Sequence, residues 1–263
     1  MQVSNLAYVH PKAKIGKGTI IEPFTTINAD VIIGENCVIG PNATIYDGAR
    51  IGNNVKIFPG ASISAIPQDL KYQGEHTITE IGDNTIIREC VTLNKGTAAA
   101  GKTVIGANCL LMAYVHVAHD CILGNNIILA NSVNLAGHIE IEDYAILEGL
   151  VAVQQFLRIG THSFIGGGSL VRKNVPPFIK AAREPLSFAG INSVGLRRRG
   201  YTIEQVNQIQ DIYRVLFQQG YSVSRALEII ENDQHVSAER EAILSFVKNS
   251  PKGIIKGYTG IDE

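Results

Sequence analysis

Three of the seven histidines in this 263-residue sequence lie close together near its middle. His116 and His119 belong to the segment YVHVAHDC, and His138 follows in LAGH. Because an unperturbed imidazole has a pKa near ~6.5, it can take up or release a proton at neutral pH, which suits general acid–base chemistry. The alternative is that all three are ordinary surface residues in turns. The elements that position them decide between the two interpretations.

An aliphatic residue recurs at every sixth position from Val3 to Val171. Of the 29 positions in this column, 26 are Val, Ile or Leu, and the exceptions are Asp69, Glu75 and Ala99. This period predicts a parallel β-helix in which three short strands complete each coil. Residues n and n+18 then stack one strand spacing apart, at ~4.8 Å.

A second column, two residues before the aliphatic one, holds mostly small or β-branched side chains. Both columns are expected to point inward and fill the core of the coil. Cys37, Cys109 and Cys121 fall in the small column, so we predict that they are core residues rather than metal ligands. Glycine often follows the aliphatic residue, and we expect the chain to turn where glycine or asparagine tolerates a positive φ.

Two stretches, 64–80 and 94–103, interrupt the aliphatic column, and each is predicted to be a loop that leaves the coil. Long loops in a compact repeat domain are usually functional. After Val171 the repeat ends and signals for helices begin. These signals are a capping box at Thr202 and Gln205 and candidate N-caps at Ser222 and Ser237. We therefore predict a β-helix domain over 1–175 and a C-terminal helical domain over 176–263, which would cover the unpaired strands at the end of the coil.

The register places His119, Gly137 and Gln155 in one column, and His138 above Asp120 in the next. The missing side chain at Gly137 is expected to leave a notch beside the histidine, where a substrate could approach bare backbone. A histidine beside an exposed peptide N–H suggests a general base next to a donor for an oxyanion. Ser169 in GGGSL lacks the GxSxG elbow of a nucleophilic serine, and the cysteines are predicted to be buried. If the reaction is acyl transfer, direct attack is therefore expected rather than a covalent intermediate.

The composition excludes several classes of protein. A formal net charge of −1 gives no overall attraction to nucleic acid or to anionic membranes. The four cysteines have no CxxC or zinc-type spacing, which favours a reduced, cytosolic protein. We find no secretory signal pattern and no apolar run long enough to span a membrane.

Five segments together resemble one family, the UDP-N-acetylglucosamine O-acyltransferases that open lipid A biosynthesis in Gram-negative bacteria. In order, they are QDLKY (68–72), HVAHDC (116–121), LAGH (135–138), VAVQQF (151–156) and GLRRRGY (195–201). The resemblance implies a left-handed β-helix that assembles as a homotrimer with active sites between subunits. It also implies transfer of a long-chain 3-hydroxyacyl group from acyl carrier protein to the 3-hydroxyl of UDP-N-acetylglucosamine, without a cofactor or a metal.

The resemblance also assigns roles to individual residues. His119 resembles the general base, Asp120 the residue that orients it, and Gly137 the donor whose N–H holds the oxyanion. Gly167 matches the position that sets acyl-chain length, and a glycine there favours a long chain. The residues matched to nucleotide-sugar binding are Asp69, Lys71, His116, His138, Gln154, Gln155 and Arg198.

Three positions depart from the family pattern. Asn94 and Gln154 stand where a histidine is common, and Val194 stands where an acid precedes the arginines. Since these positions touch the predicted sugar-nucleotide site, a 3-amino sugar remains an alternative acceptor. A second alternative is a zinc enzyme of the γ-carbonic anhydrase type, with His116, His119 and His138 as ligands.

Overall fold

The protein, described here from a computed structural model over residues 2–257, is a left-handed parallel β-helix followed by four helices. Most strands are only two residues long and consist of the aliphatic residue of the repeat and the residue before it. Successive strands lie on three different faces of the coil, and each pairs in parallel with the strand one coil away. The predicted fold class is confirmed.

The three faces meet at three corners, where the chain turns. The strands of the first face are Gln2–Val3, Ile20–Ile21, Val38–Ile39, Lys56–Ile57, Ile86–Ile87, Leu110–Leu111, Ile128–Leu129, Ile146–Leu147 and Phe164–Ile165. Those of the second face are Tyr8–Val9, Thr26–Ile27, Thr44–Ile45, Ser62–Ala65, Thr92–Asn94, His116–Val117, Asn134–Leu135, Ala152–Val153 and Leu170–Val171. Those of the third face are Lys14–Ile15, Ile32–Ile33, Ala49–Ile51, Ile78–Ile81, Lys102–Ile105, Ile122–Leu123, Glu140–Ile141 and Arg158–Ile159.

Both inward columns are buried along nearly the whole coil, as the period predicts. Cys37, Cys109 and Cys121 are at most 2% exposed and form part of this core, so their predicted role as core residues is confirmed. Cys90 lies outside the column and is exposed. The side chains of each column stack directly on one another because the strand pairing keeps the 18-residue register.

The predicted turns at asparagine are confirmed, whereas the glycine that follows the aliphatic residue does not have the expected positive φ. The residue with positive φ is the third after the aliphatic one, for example Asn108 at 56° and Asn126 at 58°, and not the glycine that follows it directly. That glycine is required for another reason, since the backbone of the next coil lies against it. A Cβ atom on Gly82 would lie 2.6 Å from the carbonyl carbon of Gly106, closer than a real Cβ atom approaches.

The two interruptions of the repeat are loops, spanning 66–77 and 95–101, between strands that keep their place in the coil. Ser62 pairs with Thr92, 30 residues later, and Thr92 pairs with His116, 24 residues later, instead of the usual 18. Each insertion is therefore a whole number of six-residue repeats. This explains why the aliphatic column resumes in the same phase after each loop.

The segment after the last coil contains strands that the sequence did not predict. The strand Ile179–Ala182 pairs in parallel with Phe164–Ile165. The strand Ser187–Ile191 pairs in antiparallel orientation with Ile179–Ala182. This hairpin covers the open edge of the first face, because an unpaired strand edge needs a partner. The strand Lys256–Gly257 completes this sheet.

Four helices follow the hairpin: α1 (Ser193–Arg198), α2 (Ile203–Phe217), α3 (Val223–Asp233) and α4 (Ala238–Lys248). The capping box of Thr202 and Gln205 begins α2, and Ser222 and Ser237 cap α3 and α4, as predicted. Among residues 2–257, no helix is long and apolar enough to cross a membrane.

Candidate active site

His119, Gly137 and Gln155 lie one above another at the corner between the second and third faces. The pairing of His116 with Asn134, and of Asn134 with Ala152, fixes the 18-residue step on the adjoining strands. The column that the repeat predicts is therefore present in the structure.

His119 and Asp120 form a close pair although they are neighbours in sequence. Side chains of adjacent residues on a strand point to opposite sides. Asp120, however, occupies a turn with φ at 59°, and this conformation brings its carboxylate beside the preceding ring. Nδ1 of His119 lies 2.8 Å from Oδ2 of Asp120, and the carboxylate is completely buried.

The second loop provides the other partners of this carboxylate. The backbone N–H of Thr97 donates to Oδ1 of Asp120 at 2.9 Å, and the Thr97 hydroxyl donates to Oδ2 at 2.6 Å. Burial alone would raise the pKa of the Asp120 carboxyl. The hydrogen bonds from Thr97 and His119, with the charge of His138, nevertheless hold that pKa below its ordinary value. Asp120 is thus an ionised acceptor, which requires His119 to carry a proton on Nδ1.

The space above Gly137 is filled by the His119 ring, which corrects the prediction of an open notch for the substrate. A Cβ atom at Gly137 would lie 2.6 Å from Cε1 and 2.8 Å from Nε2 of His119. Glycine is therefore needed at this position so that the imidazole can lie flat against the coil. The N–H of Gly137 donates to no acceptor among the described residues, so it remains available to a ligand.

His138 is the second histidine beside the Asp120 carboxylate. Its ring stacks on Phe156 at 4.5 Å between centroids and meets the His119 ring edge-on at 5.1 Å. Its Nε2 is 3.6 Å from Oδ2 of Asp120. The buried carboxylate is thus shared between two imidazoles.

A cavity of about 500 Å³ opens in front of these groups. The first loop forms its outer wall, and Nε2 of His119 faces that wall at 3.9 Å from Oδ2 of Asp69. The residues that line the cavity are Gln68, Asp69, Leu70, Lys71, His119, His138, Gln155 and Phe156. A free ring nitrogen in an open cavity, backed by a buried carboxylate, can remove a proton from a bound hydroxyl group.

Six of the predicted site residues do not line this cavity: Asp120 and Gly137, which contact the His119 ring or lie against it, and four others that lie elsewhere. His116 lies on the second face, where burial lowers its pKa and its Nδ1 is 2.7 Å from the Thr92 hydroxyl. Gln154 is exposed. Gly167 lies at the corner between the first and second faces, and Arg198 is exposed at the end of α1.

The departures from the family pattern also lie outside the cavity lining. Asn94 is buried, and its side-chain amide donates to the carbonyl of Ile66 at 3.1 Å, where it secures the start of the first loop. Val194 is 44% exposed on α1. These two substitutions leave the His119–Asp120 pair untouched.

Sequence reasoning missed Thr97, Gln68 and Phe156. The interruption of the repeat marks the loops that carry Thr97 and Gln68, but nothing in the pattern indicates which loop residue meets Asp120. Phe156 follows Gln155 at a turn with φ at 63°, so its ring points out of the coil and stacks on His138.

The ligand atoms of His119, Asp120 and His138 all lie within 4.8 Å of one another, so a metal ion has to be considered. Ligand atoms of a tetrahedral zinc ion, at ~2.0–2.1 Å from the metal, are roughly 3.3 Å apart. Here Nδ1 of His119 and Oδ2 of Asp120 are only 2.8 Å apart, and Oδ2 also accepts from Thr97. This spacing fits a shared proton better than a shared ion, and His116 stands outside the group.

Comparisons with known proteins identify sequences and structures that are similar to this chain. Residues 174–255 match a family model described as UDP-N-acetylglucosamine O-acyltransferase, domain 2. The bacterial transferase hexapeptide model matches residues 12–47, 30–65 and 102–137.

Individual relatives resemble the chain over almost its full length. An acyl-[acyl-carrier-protein]–UDP-N-acetylglucosamine O-acyltransferase of Alkalilimnicola ehrlichii is 46% identical, across 95% of this chain and 97% of that protein. The crystal structure of a UDP-N-acetylglucosamine acyltransferase from Bacteroides fragilis has a TM-score of 0.95 at 50% identity, covering 96% of this chain and 99% of that one. The Francisella novicida enzyme of the same description has a TM-score of 0.95 at 42% identity, covering 98% and 95%.

Proposed function

Since this chain belongs to the acyl-[acyl-carrier-protein]–UDP-N-acetylglucosamine O-acyltransferase family, we propose that it transfers a long-chain 3-hydroxyacyl group from acyl carrier protein to the 3-hydroxyl of UDP-N-acetylglucosamine. This is the first step of lipid A biosynthesis. The observation that carries the mechanism is the orientation of His119, whose Nδ1 is held by a buried carboxylate while Nε2 faces an open cavity.

His119 acts as the general base in this proposal. Its Nε2 removes the proton of the sugar 3-hydroxyl as the oxygen attacks the thioester carbonyl. The imidazolium that forms is stabilised by the Asp120 carboxylate, 2.8 Å from Nδ1. Asp69 and Lys71, at the opposite wall of the cavity, hold the acceptor against the base together with His138 and Gln155.

The carbonyl oxygen acquires negative charge during the attack and needs a hydrogen-bond donor. The N–H of Gly137, which has no acceptor within residues 2–257, supports its assignment as that donor. The departing pantetheine thiolate has a conjugate acid with a pKa near ~8.5, so it leaves with little help from an acid. No covalent intermediate is needed, and Cys121, whose pKa burial raises to about 12, is unsuited to form one.

The hydroxyl acceptor is preferred to an amino acceptor for two reasons. The relatives that resemble the whole chain are O-acyltransferases. In addition, neither Asn94, which is buried beneath the first loop, nor Val194, on α1, lines the cavity. For the zinc alternative, metal analysis of the purified protein is the direct test, and stoichiometric zinc would refute the metal-free mechanism.

A homotrimer would bring together the predicted residues that one chain keeps apart. Gly167 lies at the first–second corner, whereas the His119 cavity lies at the second–third corner. Arg198 is the last residue of α1, and the next residue, Arg199, lies over the Tyr144 ring at the corner between the third and first faces. If sites form between subunits, Gly167, Arg198, Gln154 and His116 reach a cavity from the adjacent chain or from its rim. The cytoplasmic location inferred from the cysteines stays a prediction.

The test compares wild type with His119→Ala in a purified system that contains 3-hydroxyacyl carrier protein and UDP-N-acetylglucosamine. We expect loss of at least about 10²-fold in kcat, the lower range for removal of a positioned base. The exposed His235 provides a matched control, His235→Ala, that should retain the wild-type rate. An inactive wild type, or a His119→Ala variant of undiminished rate, contradicts the proposal. Mass spectrometry of the product establishes chain length and whether the bond is an ester.

A further inference from the structure

Thr97 is the residue through which the second loop reaches the catalytic pair. Its backbone N–H and its hydroxyl group bind the two different oxygens of the Asp120 carboxylate, at 2.9 Å and 2.6 Å. The residue is only 7% exposed, although the loop residues that follow it, Ala98 to Ala100, are exposed. The second loop leaves the coil, but the Thr97 side chain is buried beside Asp120, the partner of His119.

The direction of the hydroxyl proton follows from its neighbours. The N–H of Ala99 donates to Oγ1 of Thr97 at 3.2 Å, so Oγ1 is already an acceptor there and its proton is free to go to Asp120. A chain of donors thus runs from Ala99 through Thr97 to Oδ2, which also accepts the proton on Nδ1 of His119. Two donors on one oxygen favour its charged form.

We propose that Thr97 is a positioning residue, which keeps the Asp120 carboxylate ionised and oriented so that His119 holds its proton on Nδ1 and presents Nε2 to the acceptor. The expected kinetic effects of this inference rest on the proposed function. The position of the proton on the His119 ring, however, can be measured without an enzymatic reaction. Thr97 touches neither substrate nor reacting atoms in this scheme, and it acts through Asp120.

The charged and titratable groups around Asp120 set the sign of the effect. His119 and His138 face its carboxylate directly. Glu75 of the first loop and the Cys121 thiol lie close enough to interact with it electrostatically. Because Thr97 supplies uncharged donors among these groups, its removal leaves a carboxylate with a higher proton affinity. The His119–Asp120 pair should then take up its proton at higher pH than in the wild type.

A merely structural role for Thr97 is the alternative, since the same loop is also held by other contacts. Thr77 supplies the matched control, because it is buried and its hydroxyl group donates to the carbonyl of Gly96 at 2.6 Å. Thr77→Val removes a hydroxyl group that anchors the same loop without touching Asp120. Thr97→Ser keeps the hydroxyl group and so serves as the conservative rescue.

For Thr97→Val we expect kcat to fall roughly 10- to 100-fold with little change in KM, the range of a lost hydrogen bond to a charged group. The acid limb of the pH profile of kcat/KM should move up by about one pH unit. Thr97→Ser should restore both quantities, and Thr77→Val should leave the acid limb in place. An unshifted acid limb in Thr97→Val, or an equal shift in Thr77→Val, overturns the proposal.

Histidine ¹⁵N NMR gives a readout that does not depend on activity, with the His119 signal assigned by its loss in His119→Ala. In the wild type we expect one tautomer, protonated at Nδ1, and in Thr97→Val a mixture of tautomers or a higher pKa of the ring. An inactive wild type with this NMR difference would contradict the proposed function alone. Identical His119 signals in both proteins would refute the role of Thr97 alone.

Discussion

Gly137→Ala tests with a single methyl group whether the position of the His119 ring matters. The new Cβ atom would lie 2.6 Å from Cε1 of the ring, whereas ordinary contact begins near 3.4 Å. The backbone at Gly137 is not in the positive-φ region, so alanine is acceptable there apart from this contact. The ring, which contacts Asp120 and His138, has to move by about 0.8 Å or more.

The magnitude follows from this displacement. A shift of about 1 Å in a catalytic group can cost ~10²-fold in rate, because the reacting atoms lose their alignment. The shift would also lengthen the 2.8 Å contact between Nδ1 and Asp120, which weakens the stabilisation of the imidazolium. We therefore expect kcat to fall roughly 100-fold, with a smaller change in KM.

The assay is steady-state acyl transfer, with the melting temperature and the His119 NMR signal as readouts of structure. Gly149→Ala is the matched control for structure, because Gly149 occupies the same position of the repeat on another corner and its nearest neighbour would be Asn131 at 3.4 Å. The control should leave the His119 signal unchanged. If Gly137→Ala keeps kcat within about threefold of wild type, the ring position is not important and the assignment of His119 loses its main support.

Three further measurements follow from the structure. Burial lowers the pKa of His162 to about 4, below the ~6.5 of the unfolded chain, so the folded state loses stability as pH falls from 6.5 towards 4. In denaturant unfolding, the destabilisation caused by His162→Asn should be about 3 kcal/mol smaller at pH 4 than at pH 7, and an equal difference at both values would contradict this. Gly167→Met should shift the preferred donor to a shorter acyl chain in a competition assay, and unchanged selectivity would contradict the predicted role of Gly167 in setting acyl-chain length. Thiol-reactive reagents should label Cys90 in the native protein and leave Cys121 unlabelled until it unfolds, and early labelling of Cys121 would argue against its burial.

The fold was largely predictable because its information is periodic. A side chain every six residues specifies both the strand and the stacking. The burial of the aliphatic column, which contains Ile63, Leu93 and Leu135, could therefore be predicted without contact information. The turn position was not predictable in the same way. Glycine serves both for positive φ and for close approach of backbones, and the sequence does not separate the two uses: Gly82 is needed for close approach, while Asn108 has the positive φ.

The candidate site was predictable where it follows the register and unpredictable where it depends on a loop. The column of His119, Gly137 and Gln155 is a direct consequence of the 18-residue step. The contact between Thr97 and Asp120 joins residues 23 positions apart through a loop whose path the repeat does not specify. The prediction of an open notch at Gly137 was wrong for a related reason. Whether the His119 ring lies over Gly137 depends on side-chain packing rather than on register.

The constant rise of the coil fixes the distances between residues along its axis. Gly137 and Gly167 are separated by 30 residues without an intervening loop, which is one and two-thirds coils, or roughly 8 Å at ~4.8 Å per coil. If a side chain on one corner limits the acyl chain, as predicted for position 167, that limit can be moved along the corner only in steps of ~4.8 Å. Acyl-chain length would then change in discrete increments when a single residue is exchanged, while the catalytic corner stays as it is.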